Sequence, residues 1–534
     1  MRIHQSYLHK LKRLDVYNAM IENLKKPAVI SSHNNVSDTT DFQTVLIKSK
    51  ELSRRIEKEI GGVGFKNEPS KRISVLSHPD KNFIISLLST WDTGNCFVPL
   101  CTSHPAKELK YIIENSDSKL ILYHSCFKNK INELKLEIED NNQIKYLQLD
   151  SNTKSDLVGV EEETFEISSK NFDKSLAAVI IYTSGTTGKP KGVVLTHLNI
   201  EAQIRSLQSA WGWEKDDKIL NVLPLHHVHG LINVVFCALF TGASLEMNNG
   251  FKAIDVWKRF NTESQDLTLF MAVPTIYSKL IEEFHKMSKD DQIKSKNSLR
   301  QFRLMVSGSA ALPEKIFEKW EAISGHKLLE RYGMTEIGMV LGNPLIGERT
   351  SGEVGVPFPG VKLKILSDEG IDITNDCNKN GQLLVKGDQI SVGYWNNSKA
   401  NFESFDSEGY FKTGDIVKRG DNGRFKILGR ASVDVIKIGG YKVSALEIER
   451  EILEMDNVKE CSVFGKFDEV YGEKIICLVV LQNETLKFDL TQMRKFLQDK
   501  LAPYKIPQVL LVLKEIPKNI MGKVNKKELK KLVA

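Results

Sequence analysis

Between Arg72 and His124 apolar and polar positions alternate between two periods. RISVLSH, CFVPL and KLILYH read as short apolar strands, and NFIISLLSTWDTG and AKELKYIIENS read as helices between them. Strands separated by helices in this way predict a parallel, doubly wound sheet. A second such series follows: KILNVLPL, a helix after His229, LTLFMAV, the helix TIYSKLIEEF and FRLMVSGS. Beyond about residue 340 the strands shorten and are divided by Gly, Pro and Asp turns (GEVGVPFPGVKLKIL, GQLLVKG, GYFKTGDIVKRGDNGRFKILGR), which predicts an antiparallel sheet or small barrel. After Gly429 the pattern becomes that of a small α+β unit, with helix ALEIEREILEM, strands KECSVFG and KIICLVVL, helix LTQMRKFLQDKL and a Lys-rich tail.

The expected fold is therefore α/β: a large N-terminal domain of two doubly wound layers plus a small β-barrel-like subdomain, then a small α+β C-terminal domain. The boundaries are set at 15–429 and 430–534. Residues 1–14 stand apart, with Arg2, Lys10, Lys12 and Arg13, no acid, and an apolar stripe at Ile3, Tyr7, Leu11 and Leu14. That pattern resembles a mitochondrial leader, and import into the matrix is set against an ordinary surface helix of a cytoplasmic protein.

Composition narrows the class. With 534 residues, 27% charged and 41% hydrophobic, the chain reads as a globular enzyme-sized body. A net charge of +6 over so large a surface gives no dense basic stripe, so nucleic acid is not an expected partner. The most apolar stretch, Leu231 to Phe240, is too short to span a bilayer. Seven scattered cysteines without close pairs point to a reducing compartment and, for Cys96 and Cys101, to buried thiols.

The densest chemistry lies in YTSGTTGKPKG, Tyr182 to Gly192, between two apolar runs. Gly185, Gly188 and Gly192 free the backbone to approach phosphates. Thr183, Ser184, Thr186 and Thr187 supply hydroxyls, and Lys189 and Lys191 supply charge. The spacing is not that of a Walker loop, since two residues separate Gly185 from Gly188 and Pro190 follows Lys189.

This loop resembles the phosphate signature of the adenylate-forming superfamily of acyl-CoA synthetases, luciferases and peptide-synthetase adenylation domains. Its other signatures follow in order: LPLHHVHG (223–230), SGSAAL (307–312), RYGMTE (331–336), YFKTGD (410–415), GRASVDVIKIGGYKVSALEIE (429–449) and PKNIMGKVNK (517–526). The resemblance implies ATP, Mg²⁺ and coenzyme A as small-molecule co-substrates and ions. Nucleotide contacts are expected from the phosphate loop, from Gly308, Ser309 and Ala310, from Glu330, Arg331, Tyr332, Gly333 and Met334, and from Asp415, Arg430 and Lys523. Glu336 is expected to hold Mg²⁺, with Thr335 on a phosphate oxygen, and Asp415 to meet the ribose from a turn after an apolar strand. Lys523 would bridge the attacking carboxylate and the α-phosphate, and Gly439 and Gly440 would line the pantetheine path after the C-terminal domain rotates. GRASVDVIK carries one residue more between Arg430 and Lys437 than the commoner family spacing, so Ser432, Val433 and Asp434 are all hinge candidates.

Most family members have a small residue where this chain has Arg331. A guanidinium in an acyl pocket suits a second carboxylate through charge-assisted hydrogen bonds, and ERYGMTE, HHVHG, SGSAAL and MAVPTIY together resemble malonyl-CoA synthetases. On this reading His227, Ser307, Ser309 and Arg331 line the acid site, His227 takes part in catalysis, and His226 and His229 pack or cap. A medium-chain or aryl-acid CoA ligase with Arg331 paired internally, for example to Glu330, is the alternative enzyme. A carrier-protein loader or a non-catalytic nucleotide-binding relative is the alternative of another class. The chain ends shortly after Lys523, which is read against a carrier-loading assembly. Oligomeric state stays open.

Overall fold

The two alternating series build two separate sheets. The computed structural model describes residues 15–33, 36–61, 70–138, 144–150, 173–183, 189–262, 265–438, 441–483, 485–518 and 524–532. The first series forms a seven-stranded sheet whose spatial order is Gly393–Tyr394, Lys191–Thr196, Ala177–Thr183, Cys96–Pro99, Arg72–Leu76, Ser118–Tyr123 and Lys145–Gln148. It is parallel from Ala177–Thr183 to Lys145–Gln148. The Arg72–Leu76 and Cys96–Pro99 strands are buried at every position, as parallel strands covered on both faces must be.

The second series contributes to a nine-stranded sheet, ordered Val356–Pro357, Gly338–Gly342, Leu329–Met334, Leu304–Gly308, Leu269–Ala272, Lys218–Asn221, Ser244–Asn248, Pro27–His33 and Val36–Asp41. Its centre is parallel and its outer pairs are antiparallel. Helix Lys81–Asp92, capped by Asp80, is buried on every side from Phe83 to Trp91, and Trp91 Nε1 donates to Ala178 O at 2.9 Å. A helix apolar all round is one enclosed between layers. One apolar core accordingly runs from Val16 to Phe358 through residues of both sheets.

The Gly- and Pro-punctuated region forms a four-stranded antiparallel sheet, Lys362–Leu366, Asn380–Lys386, Phe411–Arg419 and Phe425–Arg430, with its own core around Ile365, Leu383 and Val417. The C-terminal α+β unit has a further, distinct core of Ile436, Ile448, Val463, Cys477 and Leu497. All seven cysteines are free, and Cys96 and Cys101 are buried. Among the described residues no helix is long and apolar enough to cross a membrane.

Candidate active site

In open parallel sheets ligands bind beyond the carboxyl ends of the strands. There the Leu304–Gly308 and Leu329–Met334 strands run side by side, with Gly308 opposite Arg331. Glycine at 308 is what lets the arginine lie flat: a Cβ there would stand 2.6 Å from Arg331 Nε and 2.7 Å from Cζ. The next residue, Ser309, sits at φ 68°, a left-handed conformation that is uncommon outside glycine and is found at constrained functional positions. Its hydroxyl lies 3.2 Å from Arg331 Nη2 and 3.2 Å from His229 Nδ1. His229 opens a π-helical stretch, His229–Phe236, a geometry frequent at functional sites. Gly230 allows that turn to pass the preceding loop, since a Cβ would lie 2.4 Å from Pro224 O.

Arg331 is 3% exposed, and among the described residues it has no carboxylate partner, its Nε having no hydrogen bond at all. Burial without a counter-charge pulls the guanidinium down to about 9. The Ser307 hydroxyl is also buried and without a partner among the described residues, but Ser307 stands opposite Glu330 on the neighbouring strand and so shares the face away from Arg331. The internal pair with Glu330, given above as an example for the alternative enzyme, is not formed. Glu330 lies one residue along the strand, on its other face, where its carboxylate accepts from Leu312 N at 3.1 Å and holds the loop after Ser309.

A second set of groups gathers around Tyr332 and Glu336. Tyr332 donates to Asp415, and Arg430 Nε stands 3.1 Å from the other Asp415 oxygen. Asp415 was expected in a turn; it lies instead inside the Phe411–Arg419 strand, directly opposite Arg430. Gly414, at φ 75°, together with the register shift just beyond, makes a bulge in the strand that reads as a turn in sequence. Burial raises the Asp415 carboxyl against the pull of Arg430 and Tyr332. Glu336 is buried, accepts from Tyr394 OH at 2.9 Å, and is likewise raised by burial, opposed by its own backbone N–H, Tyr394, Arg430 and Lys191. Lys191 Nζ lies 4.8 Å from the centre of the Tyr394 ring. Thr335 borders a small cavity with Asn199, Gln203 and Gln389. Gly333 has no room for a side chain, a Cβ falling 2.2 Å from Gly338 O.

No group of three metal-ligating side chains occurs among the described residues. A single buried carboxylate near cationic groups fits an ion that arrives with a nucleotide, because Mg²⁺ takes one or two carboxylates and fills its shell with phosphates and water.

Of the remaining expected residues, Thr183 Oγ1 lies 3.4 Å from Lys191 O, and Lys189 Nζ sits 5.4 Å from the Tyr111 ring centre. Met334 ends its strand half-buried and Ala310 is exposed. Ser184, Gly185, Thr186, Thr187, Gly188, Gly439, Gly440 and Lys523 lie outside the described residues. His227 packs against His226 with the rings tilted and their centres 4.0 Å apart, while it is His229, expected only to pack or cap, that touches Ser309. Tyr394 was not anticipated, because a two-residue strand, Gly393–Tyr394, carries no readable period.

Residues 25–395 match the sequence pattern of the AMP-binding enzyme family, and residues 447–523 that of the AMP-binding enzyme C-terminal domain. The chain belongs to the AMP-binding enzyme family. This AMP-binding enzyme is 41% identical to a malonate–CoA ligase of Arabidopsis thaliana, over 88% of this chain and 79% of that protein. It is 39% identical to a mitochondrial malonate–CoA ligase of Xenopus laevis, over 91% of this chain and 87% of that protein. Among solved structures it superposes on ATP-bound MatB from Rhodopseudomonas palustris with a TM-score of 0.83 and 27% identity, covering 97% of this chain and 98% of that one.

Proposed function

We propose that this enzyme uses ATP to join a small dicarboxylic acid, malonate or methylmalonate, to coenzyme A by way of an acyl-adenylate. The observation that carries the choice of acid is the buried guanidinium of Arg331 without a counter-charge among the described residues. A distal carboxylate would supply charge-assisted hydrogen bonds of about 1.5–3 kcal/mol. An apolar tail would leave the cation uncompensated, at a cost of about 3–5 kcal/mol. At about 1.4 kcal/mol per tenfold, the difference supports selectivity of roughly a hundredfold or more. The kinship with malonate–CoA ligases supports the same reading.

In the first half-reaction the proximal carboxylate oxygen attacks the α-phosphorus and pyrophosphate leaves. Two anions must approach, so the work of the chain is to position them and offset their charge. Arg331 and Ser309 hold the distal carboxylate, with His227 bordering the acid. His229 orients the Ser309 hydroxyl. Asp415, itself held by Tyr332 and Arg430, takes the ribose hydroxyls. Thr335 and the 183–191 loop with Lys189 and Lys191 cradle phosphate oxygens, and Lys523 bridges acid and α-phosphate. Glu336 would hold Mg²⁺, whose chemistry when bound is to neutralise phosphate charge. In the second half-reaction the coenzyme A sulfur attacks the acyl carbon and AMP leaves. Gly439 and Gly440 would line its path once residues 430–534 have turned about Ser432, Val433 or Asp434. Kinship with mitochondrial ligases and the basic, acid-free stripe at residues 1–14 support a place in the mitochondrial matrix.

The test is thioester formation from malonate, methylmalonate, acetate and octanoate at equal concentration. Malonate or methylmalonate should lead by at least tenfold; octanoate in the lead would remove the diacid reading in favour of a medium-chain ligase.

A further inference from the structure

Lys191 and Glu336 belong to different sheets, yet under the proposed function both must meet one triphosphate. Lys191 opens the Lys191–Thr196 strand of the seven-stranded sheet, whereas Glu336 follows the Leu329–Met334 strand of the nine-stranded one. The segment from Ser391 to Trp395 touches both. Val392 N donates to Val194 O at 3.2 Å and Trp395 N to Gly192 O at 2.7 Å, while Ser391 N donates to Glu336 O at 2.8 Å.

Within that segment the Tyr394 side chain makes the same two connections. Tyr394 stands opposite Val193 across an antiparallel pair, so its ring shares a face with Val193 and, two residues back along that strand, with Lys191. Lys191 Nζ lies 4.8 Å from the ring centre, within the range over which a cation is drawn to an aromatic face. At the far end of the ring the hydroxyl donates to Glu336 Oε1 at 2.9 Å, in a buried bond. That bond takes one lone pair of the carboxylate and leaves the others for an ion. Tyr394 is itself clamped, because Asn401 Oδ1 accepts from its N–H at 2.6 Å and Asn401 Nδ2 donates to its carbonyl at 3.0 Å. Gly393 makes room for that amide: it sits at φ 125°, and a Cβ there would fall 2.6 Å from Asn401 Oδ1. A ring with two rotatable bonds, fixed at its backbone, holds what it touches with little freedom. Lys189 has a ring of its own, Tyr111, 5.4 Å away, whose hydroxyl donates to Pro190 O at 2.8 Å and ties the loop to helix Ala106–Asn115.

We propose that Tyr394 is a positioning residue for adenylation: its ring seats Lys191 and its hydroxyl holds Glu336, which sets the loop cation and the ion-binding carboxylate at a fixed spacing for the triphosphate. This rests on the reading of Glu336 as the Mg²⁺ ligand and of Lys191 as a phosphate contact. Ion-binding carboxylates are themselves oriented by hydrogen bonds, and loss of such a partner typically costs about 10–100-fold in metal affinity.

The test is the Kd of ATP for the full-length protein, without acid or coenzyme A, measured by calorimetry in excess Mg²⁺ and again in excess EDTA. The ratio of the two constants reports what the ion adds. In Tyr394→Phe, which keeps the ring, that ratio should shrink about tenfold while Kd in EDTA stays within about twofold of wild type. Tyr394→Leu, which removes the ring, should weaken binding in EDTA as well, by about threefold or more. Tyr111→Phe loosens the loop from the other side and should leave the ratio unchanged. An unchanged ratio in Tyr394→Phe, or an equal fall in Tyr111→Phe, overturns the hold on Glu336. Equal binding by Tyr394→Leu and Tyr394→Phe in EDTA overturns the seat for Lys191. Glu336→Gln separates this inference from the reading beneath it. If that variant keeps the wild-type ratio, the Mg²⁺ role of Glu336 fails and the inference with it; if its ratio collapses while that of Tyr394→Phe stays whole, the inference alone fails.

Discussion

Glu330 and Arg331 are buried neighbours on one strand with opposite tasks. Glu330 is pushed up to about 7 by burial, which outweighs the Leu312 N–H, Arg450 and the Gly352 N–H. Its folded value exceeds its unfolded one, so between about pH 4.5 and 7 the native chain holds a proton that the unfolded chain has lost. Stability from this group is then complete below about 4.5 and falls as pH rises through about 7, by about 3 kcal/mol in all. Glu330→Gln keeps an acceptor for Leu312 N and removes the ionisation. It should raise the thermal midpoint at pH 8, by the equivalent of about 1–3 kcal/mol, and leave it nearly unchanged at pH 4.5. A variant that matches wild type at pH 8 would show that this carboxyl does not titrate as described. The sequence made both residues legible as chemistry-bearing, because charges inside an apolar strand are rare. It did not say which face each occupied, and the single-residue alternation of a strand is what separates the carboxyl that accepts from Leu312 N from the cation proposed to face the acid.

Among elements, the long periodic ones were legible. The helices Lys81–Asp92 and Pro274–Lys286 and the parallel strands they join stand where the alternation put them, because a fully covered strand must be continuously apolar. Three pieces were not. The helix expected after His229 is present, but its π-helical form over His229–Phe236 was not readable, because the stretch is apolar on all sides and carries no period, with Asn233 the one polar interruption after Gly230, fully buried. The strand Gly393–Tyr394 is too short to have a pattern, yet it carries Tyr394 to Glu336. Asp415 reads as a turn because a strand bulge uses the same glycine as a turn. Within the Lys-rich tail, Lys526, at the start of helix Lys526–Leu532, is buried between Asp434 and Glu449 at 2.7 Å from each. Burial lowers its pKa, but the two carboxylates more than reverse this and hold it strongly charged. Lys526→Met would leave two buried carboxylates facing each other and should destabilise the C-terminal unit by about 3–5 kcal/mol, read as a lower thermal midpoint and earlier proteolysis. Adding Glu449→Gln to it should recover part of that loss. An unchanged midpoint in the single variant would mean the triad is not buried as described.

At the scale of the molecule, the core that runs through both large sheets is distinct from that of the C-terminal unit, and among the described residues Lys315 Nζ donates to Glu454 O between them at 2.6 Å. Separate cores are what the proposed rotation between two half-reactions requires. The Val433 and Asp434 N–H groups bond to Arg430 O at 3.1 and 2.8 Å, so proline is least disruptive at Ser432. Ser432→Pro should retain at least a third of acid-dependent pyrophosphate exchange while thioester formation falls tenfold or more. Equal losses in both would contradict a hinge at this position. Everything said of the acid, however, depends on what Arg331 does. The most direct measurement is kcat/KM for malonate and for octanoate in the wild-type enzyme and in Arg331→Ala. A cation that selects diacids requires the malonate value to fall a hundredfold or more while the octanoate value holds or rises. Equal falls for both acids, or malonate turnover left intact, would contradict it.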